Sequence, residues 1–139
     1  MAQRVREIMT SAPVAVGRLT AVSEVAHRMR DENIGAVLVT DGEKLCGLVT
    51  DRDLVVRIMA EGKDSGDTTV QDACSDDLVT VTPDDEVDRA IQLMREHSLR
   101  RLPVVEGSAP VGIVSLGDLA IERDPSSALG DISAAEPNT

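Results

Sequence analysis

The chain has 139 residues, a formal net charge of -11 and no Phe, Tyr or Trp. So acidic a chain is a poor nonspecific partner for nucleic acid or an anionic membrane, and without aromatics it has no platform for base stacking. No apolar run is long enough to span a bilayer, and the start, with Arg4, Arg6 and Glu7, lacks the apolar stretch of a signal peptide, so a cytoplasmic location is expected.

The core must be built from aliphatic side chains. Residues 5–9 read as a short helical turn and residues 14–16 as a short strand. Thr20 offers a helix cap, and Val22, Val25, Ala26 and Met29 form an amphipathic stripe. Residues 36–39 are an apolar strand, Asp41 and Gly42 start a turn, and residues 45–50 return as a strand. Leu54, Val55, Ile58 and Met59 then recur at helical spacing. Residues 61–69, rich in Gly, Ser and Asp, read as a linker.

After the linker the same order returns. Residues 70–74 are a turn, 79–81 a strand, Asp84 or Asp85 a cap, and Val87, Ala90, Ile91 and Met94 a second stripe. Residues 102–105 and 111–115 are strands around a turn at Glu106 and Gly107. Pro103 lacks an N–H, which predicts an edge or a bulge at that point. Without any gap, Val5 falls on Val70, Val16 on Val81, Met29 on Met94, Val39 on Val104, Gly42 on Gly107 and Asp53 on Asp118, so the chain reads as a tandem duplication. A single unit of this length has little core of its own, and two units together are more readily stabilised. The expected division is residues 1–65 (first unit with linker), 66–123 (second unit) and 124–139 (a mostly disordered tail without periodicity).

The most informative stretch in each copy is the last strand-to-helix junction. It reads Gly47-Leu48-Val49-Thr50-Asp51-Arg52-Asp53-Leu54 in the first and Gly112-Ile113-Val114-Ser115-Leu116-Gly117-Asp118-Leu119 in the second. Such a junction offers backbone N–H groups and a helix dipole to an anion, and an aspartate beside it accepts from sugar hydroxyls. Thr-x-x-Asp and Ser-x-x-Asp also match a helix capping box, which needs no ligand.

A β-α-β-β-α unit in tandem, with Gly-x-x-Thr/Ser-x-x-Asp at the last junction, resembles the CBS domain, and the pair resembles a Bateman module. The short stand-alone form is similar to bacterial CBS-pair proteins of the hypoxic response type. The resemblance implies an α/β (α+β) fold of two units packed with pseudo-two-fold symmetry, leaving two clefts that take adenosine-containing ligands such as AMP, ADP, ATP or S-adenosylmethionine. In such clefts the aspartate holds the ribose, the Thr or Ser contacts ribose or phosphate, apolar side chains sandwich the base, and backbone of the first strand reads its edge. By position, the first site takes Thr50 and Asp53 with Val16 and Val37 near the base, and the second takes Ser115 and Asp118 with Val81 and Pro103. The resemblance also implies a homodimer joined through helices, with Leu54, Val55, Ile58, Met59, Leu119 and Ile121 as candidate interface residues.

The copies differ in charge. Arg100 and Arg101 stand where the first copy has Gly35 and Ala36, and Arg52 stands where the second has Gly117. Arg95, His97, Arg100 and Arg101 are either a solvated charged face or, through Arg101 and Arg100, a phosphate partner of the second site. The first site must rely for that purpose on Arg52 or on an arginine reaching across the pseudo-two-fold that the resemblance implies. No nucleophile–base–orienter set, metal-ligand spacing or dinucleotide fingerprint occurs, and His27 and His97 read as surface residues. Cys46 and Cys74 read as small hydrophobes rather than a disulfide. The expectation is a non-enzymatic sensor of an adenosine nucleotide, with no required cofactor, acting on an effector that the sequence does not reveal. The alternatives are a structural or interaction module with empty clefts or another small ligand, and an accessory subunit regulating an enzyme by contact.

Overall fold

The computed structural model of the chain describes residues 3–74, 78–123 and 128–135, with 122 and 123 described by backbone alone. The fold is α+β and divides into two compact units, Val14–Leu78 and Met1–Pro13 with Val79–Thr139.

In the unit Val14–Leu78, β2 (Ala15–Gly17) runs parallel to β3 (Ala36–Asp41), and β3 pairs antiparallel with β4 (Lys44–Thr50). Helix α1 (Val22–Glu32) ends at Asn33 in the left-handed region, φ 55°. Val37, Val39 and Val49 join Val22, Val25 and Met29 of α1 in one core, together with Ile58 and Val70. Leu38 lies between Val37 and Val39 and is also fully buried, but strand alternation turns it to the opposite face of the sheet. A core this rich in Val suits a chain without aromatics, since β-branched side chains pack densely on a pleated surface.

The other unit repeats the pattern with α3 (Val87–His97), β5 (Arg101–Glu106) and β6 (Ala109–Ser115). Its helix also ends on a left-handed residue, Ser98, φ 55°, and its hairpin turns on Gly107, φ 64°, as the first does on Gly42, φ 65°. The equivalent of β2 is here only a single parallel bridge, Val81 to Val104. Two prolines supply the reason: Pro83 stands where the first copy has Arg18, which donates its N–H to Thr40 O at 2.9 Å, and Pro103 removes a bond on the other side. Its first-copy counterpart Leu38 donates its N–H to Val14 O at 3.0 Å, a bond proline cannot make. Both hairpins shift register at the same place, Val39/Thr40 and Val104/Val105, so that irregularity belongs to the repeat and not to the proline.

The compact units do not follow the sequence boundaries at 1–65 and 66–123, because each copy's leading turn packs into the unit built by the other copy. Val5, fully buried, joins Val87, Leu102 and Val114 in a core, and Val70 joins Val22 and Val49. Backbone bonds fix the exchange: Val5 N to Asp85 O (2.9 Å) and Val87 N to Gln3 O (2.9 Å) in one unit, Val70 N to Thr20 O (2.8 Å) and Val22 N to Thr68 O (2.9 Å) in the other. β1 (Thr10–Ser11) likewise adds to β6.

These bonds replace the side-chain caps expected from Thr20, Asp84 and Asp85. α1 and α3 follow Ala21 and Glu86, and neither residue makes a side-chain cap bond. The first N–H groups of α1 go to Thr68 O and Ser65 O of the linker. Within the tail, Ala128–Ala134 form helix α5, packed against α4 (Leu116–Arg123). The other residues of the tail, 124–127 and 136–139, lie outside the described residues.

Candidate functional site

Both junctions close on themselves in the same way. Thr50 ends β4 in an extended conformation, φ -112° and ψ 165°, and α2 (Asp51–Asp53) follows. Asp53 N donates to Thr50 Oγ1 (3.1 Å), and Thr50 N donates to Asp53 Oδ2 (2.9 Å). Asp118 N donates to Ser115 Oγ and Ser115 N to Asp118 Oδ2 at the same two distances, 3.1 and 2.9 Å. The capping box is therefore formed twice. It uses one oxygen of each carboxylate and leaves Oδ1 for other donors.

The remaining contacts set the junctions apart. At the first, Arg57 Nε lies 3.8 Å from Asp53 Oδ1, and Arg57 Nη1 reaches Ala73 O (3.4 Å) and Cys74 O (3.3 Å). Arg57 is positioned by a π-helix, Leu54–Met59, that continues α2, whereas the matching stretch of the second copy is α-helical. Arg52 N turns onto Asp51 Oδ1 (2.8 Å) and Asp51 N onto Gly35 O (3.0 Å), so the N–H groups that open α2 are occupied. The second junction has Leu116 in place of Asp51. Leu116 N bonds Arg100 O (2.8 Å), but no carboxylate stands at that position to take the Gly117 N–H or to repel an anion.

The predicted residues distribute unevenly. Arg101 is the cross-strand partner of Ser115, and it shares with Ser115 and Pro103 the face turned away from the core of α3. Arg100 precedes the strand, is exposed, and serves through its carbonyl. Arg52 is exposed. Val37 is enclosed in the core on the α1 side, and the residue equivalent to Pro103 is Leu38, on the same face as Thr50. Strict application of the repeat register would have found Leu38, since it falls on Pro103. Val81 lies in the α3-side core and Val16 packs against the α1-side core, so these strands offer a ligand backbone rather than side chains.

Ile58 and Leu119 are buried, which removes them from an external helix face, while Val55, Val56 and Met59 are exposed. Val55 and Met59 line a groove of about 530 Å³, together with Val22, Ala26, Met29, Leu54 and Ile58, among others. His27, exposed, also lines this groove, and His97 is exposed elsewhere. Among the described residues no group of three or more His, Cys, Asp or Glu side chains comes together as a metal site. Burial pushes the Cys46 thiol above its ordinary pKa, and the Asp41 carboxylate adds to the effect.

The CBS domain family model matches residues 5–60 and 70–123, the same two segments that carry the junctions. The chain belongs to the CBS domain family. Among its relatives is the CBS domain-containing protein YhcV of Bacillus subtilis (strain 168), 40% identical over 119 residues, spanning 86% of this chain and 84% of YhcV. Hypoxic response protein 1 of Mycobacterium tuberculosis is 33% identical over 116 residues, spanning 83% of this chain and 81% of that protein. The crystal structure of Hypoxic Response Protein I with two coordinated zinc ions superposes with a TM-score of 0.78 at 30% identity, covering 86% of this chain and 98% of that one. The CBS domain pair of MJ0100, crystallised with 5-methylthioadenosine and S-adenosyl-L-methionine, shares the fold, with a TM-score of 0.78 at 24% identity over 86% of this chain and 94% of that one. No helix among the described residues is long and apolar enough to cross a membrane.

Proposed function

We propose that this CBS-pair chain is a non-enzymatic, cytoplasmic regulatory module that binds adenosine-containing nucleotides at its two junctions and passes occupancy to an effector protein. The observation that carries the reading is the doubled Thr/Ser–Asp pair, which holds each carboxylate by Oδ2 and turns Oδ1 to other donors, a ribose diol at the second junction and, at the first, a diol in competition with Arg57. The adenosine ligands of the MJ0100 pair support the choice of ligand class. Leu38 and Pro103 are the apolar residues on the face of each junction, and the backbone of the first strand is the partner for the base edge.

The second junction is the tighter one for phosphorylated ligands. It combines Arg101 with the Gly117 N–H, where the first junction places an aspartate, Asp51. A homodimer accompanies this reading, with the exposed Val55 and Met59 of the groove as the face between copies. A second reading, an interaction module without a ligand, is favoured by the completeness of both capping boxes, in which the Thr/Ser and Asp side chains already serve each other's backbone N–H groups. Mass spectrometry of small molecules released from the purified protein, followed by calorimetry with AMP, ADP, ATP and S-adenosylmethionine, separates the two. Heat of binding with at least one supports the sensor; no heat with any of them, on ligand-free protein, supports the interaction module.

A further inference from the structure

The second junction carries a feature that the first does not. Helix α5 packs on the opening turn of α4, and a Cβ built on Gly117 would stand 2.9 Å from Ser133 Oγ, 3.2 Å from Ser133 Cβ and 3.7 Å from Ser115 Oγ. Ser133 thus stands against the turn that carries Ser115, the residue the nucleotide reading assigns to the ligand. In the first copy the position of Gly117 is Arg52, whose side chain would exclude a helix docked in this way.

The manner of docking is unusual for a surface helix. α5 turns its small residues inward, with Gly130 buried and Ser133 against Gly117, and leaves Leu129 (46% exposed) and Ile132 (73% exposed) outside. An amphipathic helix ordinarily buries its apolar side chains. Held by Gly and Ser, α5 gains little from apolar burial, and at seven residues it is too short to persist as a helix on its own.

We propose that α5 is a displaceable cap on the second junction, competing with nucleotide for the turn Ser115–Leu116–Gly117. This rests on the nucleotide reading of that junction and adds its regulation. Occupancy at the second site is then coupled to release of the C-terminal helix, and the coupling is reciprocal: whatever captures the released helix tightens nucleotide binding. Among the described residues no such cap stands on the first site, so the two sites respond differently to one ligand.

The test keeps the chain at full length. Gly130→Glu and, separately, Ser133→Leu place a bulky group on the inward side of α5 and leave every residue of the junction itself unchanged. Hydrogen exchange at residues 115–118 is read without ligand, with residues 50–53 as internal control, and AMP is titrated calorimetrically in an Asp53→Ala background that silences the first site. If the capped state outweighs the open one about four to one, uncapping tightens AMP about fivefold. Faster exchange at 115–118 alone, with tighter AMP binding in both variants, is the expected result. Unchanged exchange would overturn the cap, and faster exchange with equal or weaker AMP affinity would overturn the competition. No heat with AMP in any of these proteins would overturn the nucleotide reading, while the exchange measurement still decides whether α5 covers the junction.

Discussion

Asp118 has two roles to separate, since one carboxylate both caps α4 and is proposed to hold a ribose. Asp118→Ala removes the acceptor of the Ser115 N–H, a bond of 2.9 Å at a half-buried junction. Losing such a cap costs about 1 kcal/mol, or roughly 4 °C in thermal midpoint for a domain of this size. Asp118→Asn keeps an oxygen in place for Ser115 N, so its midpoint should fall by less than that of Asp118→Ala, the bond persisting to a neutral acceptor. For a ligand the two variants converge. Hydrogen bonds to a charged acceptor contribute about 1.5–3 kcal/mol, against about 0.5–1.5 for a neutral one, so Asn should weaken AMP at the second site about fivefold to thirtyfold. Scanning fluorimetry without ligand and calorimetry with AMP on the same three proteins give both numbers. If Asp118→Asn is near wild type in both stability and AMP affinity, the carboxylate is only a cap and the ribose argument fails. A midpoint for Asp118→Ala equal to wild type would instead refute the capping energetics.

Arg101→Ala should weaken AMP at the second site more than tenfold and adenosine far less, because the phosphate is the group it meets; equal losses in calorimetry would make its role structural. Val5→Ala, at a position with no exposed surface, should cost about 2 kcal/mol, and hydrogen exchange should quicken in residues 101–115 rather than in 36–50. Val55→Glu and Met59→Glu, at exposed positions, should each shift a homodimer toward monomer in light scattering at tens of micromolar without lowering the thermal midpoint of the monomer. Cys46 carries a thiol raised by burial, so its alkylation by iodoacetamide, followed by mass spectrometry, should be slower than that of a free thiol at neutral pH and should accelerate only above the ordinary thiol range.

Much of the site was legible in one dimension because it is local. A Thr or Ser three residues before an Asp, between an apolar run and a helical stripe, specifies its own geometry within one turn, and both junctions form it at matching distances. The arginine beside Ser115 was legible through the repeat register, since strand pairing places Arg101 opposite Ser115 as Ala36 stands opposite Thr50. The face of a side chain was less secure. Val37 and Leu38 are adjacent apolar residues, and only the direction of the sheet decides which one faces the helix.

By itself the sequence determined the tandem repeat, the order of elements in each copy, the aliphatic core and the self-closing junctions, all of which follow from short-range spacing and side-chain chemistry. Only the tertiary structure decided where each copy's first turn goes. Val5 and Val70 look alike in sequence and each is buried in the unit built by the other copy, because a short turn has no periodicity to announce its partner and is held by backbone bonds to distant carbonyls. The same is true of helix capping by the linker and of α5. Its residues show no helical pattern because its buried side is Gly130 and Ser133, and small residues specify a contact only once a matching surface, Gly117, has been folded beside them.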